Sequence, residues 1–377
     1  MVDLIPDKPR KGRGAVSNAS GRYEPFTRVA IDDGWGQDPG NSGFGEQGFG
    51  EDRPSGPSPQ PTEVIWDATR SVITRNTSPD VPFDRSINPY RGCEHGCIYC
   101  FARPSHAWLG YSPGLDFETK LLAKPEAAAL LRRELARKNY RPQPIALGTN
   151  TDPYQPIEKK LQITRRILEV LRDTSHPLTI VTKSNLILRD LDILAPMARR
   201  RLVRVMISVT SLDRQLSRIM EPRAPTPARR LEALRTLNAA GVPAGVLTAP
   251  MIPAINDQEL EVLMEAAARA GAASSGYVLL RLPLEIKELF TEWLEAHFPD
   301  RKSKVLKLIR DTRDGGLYQS DFGRRQRGTG VYADLLAQRF KAAERRLGLN
   351  RGGAPLDSSQ FEPPEIDDHP DKQLSLL

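Results

Sequence analysis

The sequence predicts an α/β fold: a parallel sheet, curled into a barrel or left open, between two ends without regular structure. Six short apolar runs recur through the middle of the chain: "SINPYRG", "PIALGT", "LTIVTK", "VRVMISVT", "AGVLTAP" and "GYVLLRL". Between them lie amphipathic stretches at 125–138, 160–173, 187–200, 227–240 and 257–270, each with apolar residues three and four apart. Runs rich in Val and Ile without polar alternation read as strands buried on both faces, and a repeated strand-then-helix order implies parallel connection. No internal sequence repeat accompanies the alternation.

The strand runs share a feature at their ends. They close on polar or small residues: Asn150, Thr151 and Asp152; Lys183, Ser184 and Asn185; Ser208 to Ser211; Pro250 and Met251. In a parallel barrel the strand C-termini are where an active site is built.

The two ends of the chain look different. Eighteen of the first 60 residues are Gly or Pro, about twice the density of the whole chain, and "NSGFGEQGFGEDRPSGPSPQP" has the composition of an unpacked segment. Residues 1–62 are therefore expected to be disordered. Residues 349–377 show neither helical nor strand period, and the same is expected of them. The folded body falls at 63–348, long enough to bury a substantial core and to carry a helical extension after the sheet.

Net charge is +7, unevenly spread. Residues 351–377 hold six acidic side chains against Arg351 and Lys372; without them 52 basic and 41 acidic side chains remain, a net +11. Such a body suits a polyanionic partner such as nucleic acid, although arginines on exposed helix faces produce the same total. The chain has no 18-residue apolar run, and its start, "MVDLIPDKPRKGRG", lacks the apolar stretch of a signal peptide. A cytoplasmic protein without a membrane partner is expected.

All three cysteines fall within eight positions, in "NPYRGCEHGCIYCFAR": Cys93, Cys97 and Cys100, spaced C-x3-C-x2-C. Three thiols in a reducing compartment do not form a disulfide framework. A redox pair would use Cys97 and Cys100 and leave Cys93 idle. A zinc knuckle would recruit His95 or His106 as a fourth ligand. A [4Fe–4S] cluster on three thiolates would leave one iron open to an outside ligand, since four cysteines are the usual complement. The loop's place after the first strand, at the mouth of the sheet, favours the last.

Here the sequence resembles a known family. C-x3-C-x2-C after the first strand, with the aromatic Tyr99 just before the last cysteine, is similar to the signature of the radical S-adenosylmethionine enzymes. More narrowly, "GCEHGCIYCFAR", "GTNTDPYQPIE", "VTKS", "ISVTS" and "APMIPAIND" resemble the branch related to spore photoproduct lyase, over about residues 63 to 347. The resemblance implies a partial (β/α)6, TIM-like barrel and a [4Fe–4S] cluster on Cys93, Cys97 and Cys100. The open iron would chelate S-adenosylmethionine. One electron from an external donor would cleave it to a 5′-deoxyadenosyl radical that abstracts hydrogen from a substrate. Arg91 and the Gly92–Gly96 backbone are expected to steady the anionic cluster.

The resemblance also assigns cofactor contacts. Tyr99 matches the aromatic that lies against the adenine. Lys183 and Ser208 match polar contacts to the methionine carboxylate and ribose, and a lysine closing a buried apolar run needs an anionic partner. Thr151 and Asp152 match a hydroxyl and an acid that reach the amino end, with a turn stabilised by their own side chains as the alternative. No catalytic residue is identified. Spore photoproduct lyase has a further cysteine after its second strand that returns hydrogen to the product; this chain has "GTNTDP" there and no fourth cysteine. Tyr154 is a substitute donor in principle.

Three functions follow: a lyase-like radical enzyme of DNA repair or modification, a radical enzyme acting on a protein or small molecule, and a zinc-bearing nucleic-acid-binding module. Arg223, Arg229 and Arg230 in "MEPRAPTPARR", and the arginine- and glycine-rich "RDTRDGGLYQSDFGRRQRGTG" at 310–330, read either as phosphate contacts or as basic connections. The final residues, Gln373-Leu374-Ser375-Leu376-Leu377, resemble the pentapeptide that docks replication and repair proteins on the bacterial DNA sliding clamp.

Overall fold

The structure, a computed structural model, describes residues 3–4, 7–28, 31–32 and 61–365. The Gln373–Leu377 segment lies outside the described residues.

Each apolar run carries a strand: β1 (Arg85–Ile87), β2 (Ile145–Leu147), β3 (Leu178–Thr182), β4 (Val203–Ser208), β5 (Ala244–Met251) and β6 (Ser275–Leu279). They lie side by side in chain order, and all five pairings are parallel. Their C-termini therefore share one end of the sheet. One antiparallel strand, Ile73–Arg75, extends the β1 edge. The architecture is α/β, a partial (β/α)6 barrel as expected.

Helices α1 (Ala127–Leu135), α2 (Ile163–Asp173), α3 (Leu191–Arg199), α4 (Pro227–Ala239) and α5 (Leu260–Arg269) alternate with the strands. In α2, Ile163, Ile167, Val170 and Leu171 fall on one face and are buried. They share a core with Ile145, Leu178 and Ile180 of the sheet. Fully burying each such side chain contributes about 1.5–3 kcal/mol before the cost of ordering it. Pro227 opens α4, where a helix needs no donor N–H. Three further helices follow the sheet: α6 (Ile286–His297), α7 (Pro299–Asp311) and α8 (Gly330–Leu347). α8 lies on α5 through Arg339–Glu261 and Arg346–Glu265 ion pairs and stops at Gly348, whose φ of +66° suits glycine.

The ends depart from expectation. Residues 7–28 were expected to be disordered, but Arg13, Ala15, Val16 and Ser17 are buried against the body. The Gly14 and Ala15 N–H groups donate to the Glu118 carboxylate, each at 2.9 Å. At the other end, within the segment expected to be unstructured, the Asp357 N–H donates to the Arg201 carbonyl (3.0 Å). Phe361 packs edge-on to His176, with ring centroids 5.3 Å apart. Both segments are held by partners distant in sequence, which composition and periodicity do not register.

A small second sheet, Glu63–Trp66, Lys120–Ala123 and Tyr90–Arg91, flanks the barrel. It anchors the chain as it leaves β1 and enters the cysteine loop. No helix among the described residues is long and apolar enough to cross a membrane.

Candidate active site at the cysteine loop

The cysteine loop is fastened from four sides. The Cys93 N–H donates to the Phe117 carbonyl (2.9 Å), and the Ile98 N–H to the Met220 carbonyl (3.1 Å). The Gln155 amide bridges the Glu94 N–H (2.8 Å) and the Gly92 carbonyl (3.2 Å). Beneath the loop lies Arg103, fully buried, which donates to the Gly96 (3.1 Å), Cys97 (2.9 Å), Pro113 (3.1 Å) and Gly114 (2.9 Å) carbonyls. Its charge is met by the equally buried Glu118 at 2.5 Å. Gly14 crosses so close to this loop that a Cβ there would sit 1.8 Å from the Gly96 carbonyl oxygen. A side chain at that position is excluded.

Cys93 and Cys97 are buried, Cys100 is partly exposed, and none is in a disulfide. Burial pushes the Cys93 and Cys100 thiols up; it lifts Cys97 to about 12 despite the opposing pull of Lys183. Among the described residues no three His, Cys, Asp or Glu side chains converge as ligands of a single metal ion. His106 gives its Nε2 to the Lys120 carbonyl (2.9 Å), and His95 Nδ1 lies 3.3 Å from Asp152.

Three of the sequence-derived candidates meet here. Lys183, just past the end of β3, places Nζ 3.2 Å from Ser208 Oγ, at the end of β4, and 5.7 Å from the centre of the Tyr99 ring. Burial disfavours its charge, but the facing Cys97 and Glu221 outweigh that and raise its pKa. Tyr99 donates its hydroxyl to Glu221. Glu221 is itself buried, accepts from Thr210 Oγ1 (2.8 Å), and is paired with the buried Arg230. Burial raises the Glu221 pKa, yet the Arg230 and Lys183 charges prevail and hold it below the usual range.

Thr151 and Asp152 lie at the same mouth, Asp152 against Cys93 and Lys183, and both are also bound into the fold. The Thr151 hydroxyl donates to the Tyr90 carbonyl (2.9 Å). Asp152 accepts from Thr182 Oγ1 (2.6 Å), the Lys183 N–H (2.8 Å) and the Tyr154 N–H (2.9 Å). The last of these is a turn closed by the aspartate's own side chain, and the set ties β2's end to β3's. Tyr154 is fully buried in the core between sheet and helices, with the Arg189 guanidinium 6.0 Å from its ring centre.

Several arginines also differ from expectation. Arg91 is a surface residue paired with Asp67 (2.7 Å), and the cations that act on the cysteines include Lys183, Arg103 and Arg230. Arg223 pairs with Glu94 (3.0 Å) and Arg229 is exposed, leaving Arg230 as the buried member of its group. In the 310–330 stretch Arg313 is buried on the Leu279 (3.1 Å) and Leu280 (2.6 Å) carbonyls, and Arg325 pairs with Asp80. Glu221, Arg103 and Glu118 went unnoticed in the sequence. The available signal was weak: an arginine three residues after the last cysteine, and acids whose partners lie nine to fifteen positions away.

A model of the radical S-adenosylmethionine superfamily matches residues 87–267, the span from β1 through α5. A protein of Mycobacterium tuberculosis H37Rv is 39% identical over 232 residues, covering 61% of this chain and 68% of that one. The chain belongs to the radical S-adenosylmethionine superfamily. A Methanocaldococcus jannaschii protein is 28% identical over 214 residues, 57% of this chain and 76% of its own. Among solved structures, spore photoproduct lyase complexed with dinucleoside spore photoproduct superimposes with a TM-score of 0.53 at 16% identity, covering 76% of this chain and 80% of that chain. A mutant of the same lyase gives 0.52 at 17% identity, with the same coverage. At such identity the likeness is one of fold. As a superfamily member, the chain keeps its three-cysteine loop at the strand C-termini, where Tyr99, Lys183 and Ser208 converge.

Proposed function

We propose that this superfamily member is an enzyme that holds a [4Fe–4S] cluster on Cys93, Cys97 and Cys100 and reductively cleaves S-adenosylmethionine to act on nucleic acid. The observation that carries the reading is the meeting of Lys183, Ser208 and Tyr99 beside the cysteine loop. The donor set fits such a cluster. Three desolvated thiols disfavour one another's ionised forms, and a shared polycationic iron core removes that penalty. A single zinc ion would need ligands converging within bonding distance of one point.

When bound, the cluster and its substrate supply the electron transfer and the deoxyadenosyl radical that carries the bond-breaking. The chain's own residues bind and orient. Lys183 offers an ammonium for the carboxylate of S-adenosylmethionine, a charge-assisted contact. Ser208 shares that end, and the Tyr99 ring, held by Glu221, presents a flat face for the adenine. Asp152 acts as a positioning group, holding the ends of β2 and β3 at the spacing that aims Lys183, and Thr151 ties the same turn to the chain leaving β1 at Tyr90. Arg103 and Glu118 keep the loop's carbonyls turned away from the thiols.

A nucleic-acid target is supported by the charge of the body and by exposed cations on the 310–330 stretch, Arg324 and Arg327. One structural relative carries a dinucleoside photoproduct. A Gln373–Leu377 contact to a DNA sliding clamp, and an external electron donor, belong to the same proposal. The test is anaerobic reconstitution with iron and sulfide. The expected product is a brown protein absorbing near about 400 nm that releases 5′-deoxyadenosine under reductant, faster with DNA or RNA present. A colourless protein with stoichiometric zinc overturns the enzyme; cleavage indifferent to every nucleic acid overturns the substrate class.

A further inference from the structure

We propose that the surface outside the cysteine loop docks an acidic one-electron carrier protein, an inference that rests on the radical reading above. The loop's outer turn, Glu94 and His95, is flanked by cations. Arg223 pairs with Glu94 (3.0 Å) and gives its backbone N–H to the His95 carbonyl (3.3 Å). The Glu94 carboxylate also accepts from the Thr62 hydroxyl (2.9 Å). Arg13 of the N-terminal strap and Arg223 both reach that hydroxyl, each at 3.4 Å. Beside them an open depression is lined by Glu94, Pro156, Ile157, Lys159, Lys160 and Arg223. Lys159 and Lys160 are exposed and form no ion pair among the described residues; the neighbouring Glu158 is taken by Arg189 (2.9 Å).

Position and charge together select the occupant. Glu94 follows Cys93 directly, so a molecule seated here lies one residue from a cluster ligand. Glu94 is the one acid of the lining, is buried, and is already met by Arg223. Lys159 and Lys160 are therefore the charge offered outward, and an acidic partner is steered to them. Pro156 and Ile157 supply a small apolar centre. None of the lining is aromatic, so bases would have nothing to stack on, which favours a protein over a nucleic-acid strand. Transient electron-transfer partners use small interfaces of this kind, with fast arrival and low affinity. In the encounter one electron leaves the carrier's reduced centre and enters the cluster; no bond or proton moves. Tyr99, Lys183 and Ser208 do not line the depression, so carrier and S-adenosylmethionine occupy different places.

The experiment uses the full-length, cluster-reconstituted protein under anaerobic conditions, with a purified acidic, low-potential ferredoxin as the carrier. Calorimetric titration at low salt should show a weak one-to-one complex that is lost as salt is raised. Stopped-flow mixing with reduced ferredoxin should return the ferredoxin to its oxidised spectrum. Reversing both outward charges, Lys159→Glu with Lys160→Glu, should lower affinity and electron-transfer rate about tenfold or more at low salt. Both side chains are exposed, so the fold should survive. Lys138→Glu, exposed beyond the C-terminus of α1 at the opposite end of the sheet, should match wild type. With dithionite as reductant, all three proteins should release 5′-deoxyadenosine equally. Wild-type binding and rate in the double variant overturn the docking surface, as does an equal loss in Lys138→Glu. A double variant that loses affinity for single-stranded DNA but keeps its ferredoxin rate assigns the surface to nucleic acid and overturns the proposal. Failure of cleavage with dithionite in every protein overturns the radical reading instead, and the docking surface with it.

Discussion

Arg103 and Glu118 form an ion pair in which neither side chain reaches solvent, and between them they join three segments distant in sequence. Arg103 holds the carbonyls of Gly96 and Cys97, and Glu118 holds the N–H groups of Gly14 and Ala15. The N-terminal strap and the cysteine loop are thus two sides of one buried polar network. Removing one member of a buried pair leaves the other uncompensated, which costs about 3–5 kcal/mol. Glu118→Ala should therefore lower the unfolding free energy by that order in denaturant titrations. Replacing both should cost at least as much, because the Gly96, Cys97, Pro113 and Gly114 carbonyls then lose their donor too; an unchanged midpoint in Glu118→Ala would refute the network.

Cys93, Cys97 and Cys100 should behave as one ligand set. Substituting any one with Ala is expected to abolish cluster assembly and S-adenosylmethionine cleavage, with no further loss in double variants. Iron and sulfide content after anaerobic reconstitution, with the visible spectrum, checks this. A Cys97→Ala protein that kept both would refute the ligand set.

Lys183→Ala should leave the cluster spectrum intact while weakening S-adenosylmethionine binding. Loss of a charge-assisted contact to a carboxylate corresponds to about 1.5–3 kcal/mol, or roughly 10- to 150-fold in affinity. Anaerobic equilibrium titration measures it. Lys183→Arg should retain part of the affinity, because the charge survives although its geometry changes.

His176 makes stability fall on the acid side. It is fully buried, accepts from the Tyr140 hydroxyl (2.8 Å) at Nε2 and donates from Nδ1 to the Pro177 carbonyl (2.9 Å), so it is held neutral. Burial lowers its pKa to about 4 from the ordinary 6.5. Between those values the unfolded chain binds a proton that the folded chain refuses. Stability is complete above pH 6.5 and declines as pH falls toward 4, by roughly 3 kcal/mol in all. Denaturant midpoints for wild type and His176→Gln should converge across that window; parallel curves would refute the assignment.

The parallel sheet, and the end of it at which the cysteine loop lies, were legible in the sequence. Six apolar runs without polar alternation became β1 to β6 because strands buried on both faces have no polar positions to show. The cysteine spacing with Tyr99 inside it, and Lys183 and Ser208 at strand ends, were legible because a parallel sheet brings all its C-termini to one place. Tertiary structure alone decided the partners. Arg230 read as well for a phosphate contact as for a solvated helix start, and its burial against Glu221 could not be read from local pattern. Thr151 and Asp152 had a binding reading and a turn reading; only the packing shows that the Thr151 hydroxyl reaches the Tyr90 carbonyl and that Asp152 ties the end of β2 to that of β3. Residues 7–28 were expected to lack structure because Gly-rich composition signals little local order, yet Gly14 is where it is because a close crossing over Gly96 excludes any side chain. Periodicity and composition report neighbours along the chain, whereas buried charge is placed by neighbours across it.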